Sequence, residues 1–406
     1  MTRKGVWNLQ QVRDKYLQEL WEYNINLFSW GNNDAGQLGI NDKTNRSSPT
    51  QIPGGNWQIS GAGNNESRNI AIMDSVYGIK SDGTLWAWGE NTFGALGQNS
   101  PGPSNRSSPI QIGSDTTWSS VGGGYRHATA VKTDGTLWSW GYNYQGLLGH
   151  NNETNYSSPV QVGSDTNWSS VASGHVQTFG RKTDGTLWAW GNNGHGVLGQ
   201  NSPQNSRYSS PVQIPGTNWS EQYCSNQSTV TAIKTDGTLW AWGRNYEGQL
   251  GQNAPQNSSK SSPVQVGSGS DWAILARGSG ERTRNPIAVK TDGTLWMWGS
   301  NAYGQLAQNN ATPGYSSPVQ VPGTWSTTIR PAGTGYGRWA SCIKSDNTLW
   351  IWGKNNHGSL GQNGEVAWET SRSSPVQVPG TPWSEIYVTG NYSALGIKPN
   401  LTPSQL

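Results

Sequence analysis

One phrase, Trp-Gly-x-Asn-x-x-Gly-x-Leu-Gly, recurs seven times with a single change, Ala307 in place of the last Gly. No other feature constrains the fold as strongly. Its first tryptophans are Trp30, Trp88, Trp140, Trp190, Trp242, Trp298 and Trp352, spaced 50 to 58 residues apart. A Ser-Ser-Pro triplet follows each, ending at Pro49, Pro109, Pro159, Pro211, Pro263, Pro318 and Pro375. A lone Trp comes next, at Trp57, Trp118, Trp168, Trp219, Trp272, Trp325 and Trp383. Three landmarks in phase define seven units, and a period of this length marks repeats that bury their apolar faces only by stacking on neighbours.

Each unit reads as four short strands: "PVQV", "WSSVAS", "HATAVK" and "TLWAWG". Between the last two, Thr-Asp-Gly is a tight-hairpin signal, because Asp and Gly accept the positive φ such turns require. Four strands per repeat of about 50 residues indicate a β-propeller with one blade per repeat. The chain opens the series with a bare fourth strand, Asn26 to Gly31, and ends on a third, Tyr392 to Lys398. The N-terminal strand is therefore expected to complete the last blade and close the ring, removing an open sheet edge. The expected fold is an all-β, seven-bladed propeller over 26–398. An N-terminal anchor segment over 1–25, with a short amphipathic helix, precedes it, and a tail over 399–406 follows.

The 24 Trp stand against only 3 Phe and 3 Met, so tryptophan must supply much of the core. Burying one Trp removes about 150–250 Å² from water, roughly 4–6 kcal/mol gross at about 25 cal/mol/Å². Trp86 and Trp88 share one strand face, and an exposed aromatic ladder of that kind is a sugar-binding arrangement. Packing between blades is the simpler reading. The Asn two residues after each Trp-Gly and the Gly after it read as turn residues. No helix follows them to make a phosphate cradle.

Charge is nearly balanced, 27 Lys plus Arg against 24 Asp plus Glu. One Lys recurs at Lys80, Lys132, Lys182, Lys234, Lys290, Lys344 and Lys398, spreading positive charge around the ring. This argues against a nucleic-acid partner, which calls for a concentrated basic stripe. Cys224 and Cys342 fall in different repeats, and no Cys/His spacing forms a metal site. His127, His150, His175, His195 and His357 are scattered, without a nucleophile–base signature. Catalytic residues, metal and cofactor are expected to be none, and no apolar run reaches membrane-spanning length. The N-terminus lacks the apolar core of a signal peptide.

The phrase "DGTLWAWGxNxxGQLGQN…SSPVQVG" resembles the repeat of the regulator-of-chromosome-condensation family, whose members fold as seven-bladed propellers. The resemblance covers 26–398. Functions in that superfamily include nucleotide exchange on a small GTPase and inhibition of a β-lactamase. Many of its bacterial and phage proteins have no known role. The family's Gly-x-x-His survives at Gly124 to His127, while the equivalent slots hold Ser75, Gln177, Thr229, Asn285, Trp339 and Ser393. No counterpart of the exchange factor's catalytic wedge is present, so that activity is not carried over.

Strand alternation sorts the loops onto two rims. One carries short, nearly identical turns, "GSDTN" and "TDG". The other carries "GGGYRHA", "CSNQST", "ARGSGERTRNP", "AGTGYGRWA" and the long loops ahead of each Ser-Ser-Pro. This variable rim concentrates Tyr125, Arg126, Arg207, Tyr208, Arg282, Arg284, Tyr336, Arg338, Trp339 and Trp368, residue types that anchor interfaces. These are the expected binding residues. Ahead of the propeller, Leu9, Val12, Tyr16, Leu20 and Trp21 lie on one stripe of a helix with a capping-box-like start at Asn8 and Gln11. That opening stretch is similar to the start of structural proteins from tailed phages of aquatic bacteria.

The resulting expectation is a non-enzymatic recognition protein. It would be a phage tail or surface component in the virion, assembled in the host cytoplasm. The N-terminal segment would hold other virion proteins, and the variable rim would meet a host-surface receptor or protein partner. The alternative is a bacterial binder, cytoplasmic or secreted, acting as an enzyme inhibitor or scaffold.

Overall fold

The computed structural model describes residues 26–58, 70–72, 74–100, 102, 104–202, 206–225, 228–254, 257–276, 285–311, 314–333, 338–362, 371–380, 382–388 and 393–398. The helix expected around Leu9 to Trp21, and Arg282, Arg284, Tyr336 and Trp368, lie outside these residues.

The described chain forms seven four-stranded antiparallel sheets, so the expected propeller is present. In the second blade the order is Trp118–Gly123, His127–Lys132, Leu137–Gly141 and Tyr156–Gln161. Blade 1 occupies 57–111, blade 2 118–161, blade 3 168–213, blade 4 219–265, blade 5 272–321 and blade 6 325–377. Blade 7 joins Glu385–Val388 and Ser393–Lys398 to Asn26–Gly31 and Arg46–Gln51.

The phase of the unit differs from the sequence expectation. The Ser-Ser-Pro strand does not begin a blade; it is the outer edge of the blade before it. Two N-terminal strands, rather than one, therefore close the ring. The physical reason lies in the proline. It has no N–H to donate, and sheets tolerate it at edges and bulges. In blade 2 the register skips from Tyr156–Gly141 to Val160–Ser139, placing Ser157, Ser158 and Pro159 in an edge bulge.

The two tryptophans of each Leu-Trp-x-Trp-Gly strand do different work. The second is fully buried and reaches the preceding blade. Its indole N–H donates to a backbone carbonyl there in all seven seams, at 2.8–3.1 Å: Trp30 to Ser359, Trp88 to Gln37, Trp140 to Ala95, Trp190 to Leu147, Trp242 to Val197, Trp298 to Gln249 and Trp352 to Gln305. The accepting loop is itself pinned by the repeat Asn. Asn193 Oδ1, for example, accepts from Leu198 N at 2.9 Å, and the other six Asn repeat the bond to their own Leu at 2.9–3.1 Å. The recurrent phrase is thus half of a seam, completed by the next copy.

The first tryptophan is half-buried on the neighbouring rim. Trp138 Nε1 donates to Thr136 Oγ1 at 2.9 Å, and that hydroxyl donates to Asp134 at 2.7 Å. The relay recurs in six blades. The hydroxyl bond is the main cause that holds each turn Asp below the ordinary carboxylate range, as at Asp134 and Asp236. Over the same ring sits the repeat lysine. Lys132 Nζ lies 3.9 Å from the Trp138 centroid and 4.9 Å from Trp118. Phe28 replaces this Trp in blade 7, with Lys398 5.2 Å above it. The recurring Asp is a turn element, as expected, and the recurring Thr and Lys join it in closing the blade.

Candidate recognition rim

The variable rim is formed by the hairpin between the two innermost strands and by the loop that follows each Trp-Gly. In blade 2 these are tied together by Tyr142 N–H donating to Arg126 O at 2.8 Å. Three groups of aromatic and cationic side chains stand on this rim.

The first spans blades 1 to 3. The Arg126 guanidinium lies 4.5 Å from the Tyr125 ring and 5.7 Å from Phe93, with Nε 3.6 Å from Glu90. Phe93 stacks on Tyr142 at 4.4 Å, and Tyr142 on Tyr144 at 5.9 Å. Tyr125 stacks on His175 at 4.5 Å. The second group joins blades 3 and 4: Arg244 sits 3.6 Å over Tyr246, and His195 meets the same ring edge-on at 5.5 Å. In the third, Tyr303 lies 5.6 Å from Arg338 and 4.8 Å from Lys354. Tyr144 (51%) and Tyr246 (38%) are the exposed large apolar side chains among the described residues, and both stand here.

Around the outer edge, the residues paired with the Trp-Gly glycines are Arg46, Arg106, Tyr156, Tyr208, Lys260, Tyr315 and Arg372. Cations and tyrosines alone occupy that ring. Phe93, Gln145, His195 and His357 share one loop slot and hold φ of 53–63°, a left-handed conformation unusual for non-glycine residues.

Of the expected binding residues, Tyr125, Arg126 and Arg338 fall in these groups. Arg207 is on the rim, but pairs with Glu153 at 3.1 Å, an exposed ion pair worth at most about 1 kcal/mol. Tyr208 is half-buried and packs against the apolar clusters of blade 3. Trp339 is a correction: at 1% exposure it belongs to the core cluster of Trp30, Ile343 and Ile351, not to the open rim. It opens a strand at the slot of the Gly-x-x-His histidine, and that slot points inward. There Ser75, Thr229 and Ser393 donate at 2.6–3.0 Å to the carbonyl that begins the next loop. The sequence reading missed Phe93, Tyr142, Tyr144, His175, Arg244, Tyr246, Tyr303 and Lys354. Most occupy the x positions of the recurrent phrase, and variation at those positions was the available signal.

His127 holds the inner side of the first group. Its ring lies against Gly124, where a β-carbon would come 2.0 Å from Cε1, which explains the glycine. Its Nε2 is 3.1 Å from Thr178 Oγ1 in blade 3. Burial, aided by His175, pushes the imidazole from its ordinary 6.5 down to about 3. Between those values the unfolded chain takes up a proton that the folded chain refuses, so stability held above pH 6.5 is lost as pH falls. The slope is about 1.4 kcal/mol per pH unit for one such group. His150 and His195 act in the same direction, through burial. Replacing His127 by Gln is therefore expected to flatten, without abolishing, the loss of stability on acidification from about pH 6 to 4. Urea titrations across that range measure it, and an unchanged slope contradicts a neutral buried imidazole.

These features define a propeller with a scaffold rim of short turns and a diversified aromatic–cationic rim. The chain belongs to the family of the regulator of chromosome condensation (RCC1) repeat, whose model matches residues 26–64, 82–131, 134–180, 184–231, 236–281 and 292–336. It is similar to the ultraviolet-B receptor UVR8 of Arabidopsis thaliana, 27% identical over 86% of this chain and 65% of that protein. It is also similar to the human E3 ubiquitin-protein ligase HERC2, 24% identical over 84% of this chain. The chain spans only 6% of HERC2, so the match is confined to that part of the ligase. The fold matches the crystal structure of Prp20p from Saccharomyces cerevisiae, a protein studied for its binding to Gsp1p and histones. The TM-score is 0.77 at 16% identity, covering 98% of this chain and 97% of that one.

Proposed function

We propose that the chain is a recognition propeller that holds a protein partner of acidic and aromatic character against its variable rim. The observation that carries this reading is the three-group arrangement of Arg126, Arg244 and Arg338 on tyrosine rings, beside the exposed Tyr144 and Tyr246. Arginine and tyrosine are the side chains that most often concentrate binding energy at interfaces. The outer ring of Arg106, Lys260 and Arg372 adds positive charge that steers an acidic surface. Prp20p, with the same fold, binds proteins, which supports the reading.

The test takes the partner recovered with the full chain from its native cells. Its affinity is then compared for wild type, Arg126→Ala/Tyr144→Ala, Arg244→Ala/Tyr246→Ala, and Asp134→Ala on the opposite rim. At least one rim variant is expected to lose about 30-fold or more in Kd, the weight of one hot spot, while Asp134→Ala changes little. Loss through Asp134→Ala alone, with both rim variants unaffected, overturns the reading.

A finer assignment makes the chain a phage tail or surface component in the virion, with a host-surface receptor as the partner. Its support is the Gly5-Val6-Trp7 opening and the position of the propeller's ends. Asn26 and Lys398 are register partners at the scaffold rim, so an N-terminal anchor there leaves the variable rim outward. Purified virions from the producing cells are expected to contain the chain, and to lose it when residues 1–24 are deleted. Particles that never contain it exclude this assignment while leaving the recognition reading intact.

A further inference from the structure

We propose that the seams between blades 1 and 2 and between blades 2 and 3 are two equivalent sites, each taking one pyranose ring of a neutral glycan. The sequence first separates these seams from most of the others. Four links between blades read Pro-Gly, at Pro53, Pro215, Pro322 and Pro379. The links at Gly113 to Thr116 and Gly163 to Thr166 read Gly-Ser-Asp-Thr instead. The structure gives the difference a consequence. At the Pro-Gly links a β-carbon on Gly54, Gly216, Gly323 or Gly380 would come within 2.5–3.9 Å of the repeat lysine ammonium or the lone Trp. Those turns lie over their seams. Gly113 and Gly163 take the place of the Pro in those links, and a β-carbon on either would meet no atom within 4 Å, as is also so at Gly267 in the link between blades 4 and 5.

What remains beside each open turn is a groove, of about 380 Å³ in one seam and 430 Å³ in the other. The first is floored by Trp118 and Trp138 and walled by Gln98, Asn99, Asp115 and Ser158. The second repeats the set with Trp168, Trp188, Asn151, Asp165 and Ser210, and His150 replaces the glutamine. Indole floors with amide, hydroxyl and carboxylate walls match the two chemistries of a sugar ring, whose C–H face packs on aromatics while its hydroxyls bond to polar edges. Buried Trp118 Nε1 and Trp168 Nε1 have no hydrogen-bond acceptor in the protein, a property they share with Trp57, Trp219, Trp325 and Trp383 at the Pro-Gly seams.

The local charge favours a neutral ligand. Lys132 Nζ is paired with Asp115 at 2.9 Å and Lys182 Nζ with Asp165 at 2.7 Å. Each ammonium is also stacked on the partly exposed Trp138 or Trp188, at 3.9 and 4.2 Å. The cation beside each groove is thus already neutralised, and a phosphate or carboxylate ligand would have to displace Asp115 or Asp165 to reach it. Adjacent seams suit a polymer that fills both grooves at once, where avidity multiplies weak single-site binding by roughly 100-fold or more.

The test uses the full chain and saturation-transfer NMR. The probes are methyl α-mannopyranoside, methyl β-glucopyranoside, methyl β-galactopyranoside and N-acetylglucosamine. At least one is expected to receive transfer with a Kd of about 1 mM, and a polymer displaying that sugar to bind more tightly. Gly113→Asn/Gly163→Asn places a side chain in each groove. The φ of 60° and 61° at these positions is one that Asn adopts readily, so the fold is kept, as near-ultraviolet circular dichroism will verify. Transfer should vanish in that variant and persist in Arg126→Ala/Tyr144→Ala, which separates this site from the rim. Absence of transfer from the wild type to all four sugars, or undiminished transfer from the double Gly variant, overturns the proposal.

Discussion

Trp242→Ala is expected to destabilise the protein by about 3–5 kcal/mol, the range for truncating a fully buried tryptophan. The position is chosen because its bridge is unshared in the described structure. Trp242 Nε1 donates to Val197 O across the seam at 2.8 Å, whereas the carbonyl of Leu147 accepts from both Trp190 and Thr178. Trp242 also packs on Trp219 at 5.8 Å with the rings tilted by 55°, among Phe179, Leu187 and Val197 of blade 3. The fit is close, for a β-carbon at Gly199 would lie 3.0 Å from the indole nitrogen. Truncation therefore opens a cavity between blades and strands a carbonyl. Its neighbour two residues back is the control. Trp240 is half-buried, bonded to Thr238 at 2.9 Å and capped by Lys234 at 4.3 Å. Trp240→Ala should lose about 1–2 kcal/mol, from a surface cation–π contact and partial burial. Urea midpoints for the two variants give the comparison. Equal losses would mean that the seam bridge carries no special weight.

The same contrast shows what the chain made readable. Seven copies of three landmarks made the blade count legible, because a ring needs identical wedges and the seam chemistry of Trp242 recurs in every one. The blade's phase was not read correctly, although Pro159 and its counterparts carried it: a proline in a β-rich repeat belongs at an edge. The rim was half legible. Tyr125, Arg126 and Arg338 lie in loops that change from unit to unit, so variation marked them. Tyr144, Arg244, Tyr246 and Tyr303 lie inside the repeated phrase, whose Trp, Asn and Leu turn inward while its x positions turn out to the rim. A phrase can be scaffold at some positions and recognition surface at others. Trp339 failed for the opposite reason. It follows a variable loop, but the first residue of its strand faces the core whatever its type. The Gly-Ser-Asp-Thr grooves depend on which side of an indole stays open, a three-dimensional property with no periodic signal.

One element breaks the sevenfold pattern in the core, and its removal should be as damaging as that of Trp242. Arg181 of blade 3 reaches Glu221 of blade 4 at 2.5 Å, while its Nε donates to Trp219 O at 2.7 Å. Ser169 and Ser170 donate to the two carboxylate oxygens, and Arg330 of blade 6 reaches past blade 5 to donate to Glu221 O at 3.1 Å. The Glu221 side chain is only 6% exposed and that of Arg181 16%. Burial of this degree makes the pair poor evidence of net stabilisation, since desolvation offsets much of the attraction. It makes loss of one partner severe. Arg181→Met is expected to destabilise by about 3–5 kcal/mol by leaving the carboxylate buried and unpaired. Glu221→Gln should lose less, because the amide still accepts hydrogen bonds and Arg181 keeps its bond to Trp219 O and some access to water. The double variant Arg181→Met/Glu221→Gln should recover much of the loss of Arg181→Met, and urea titrations of the three variants give the coupling between the residues. Additive losses would show that the contact is incidental to holding blades 3 and 4 together.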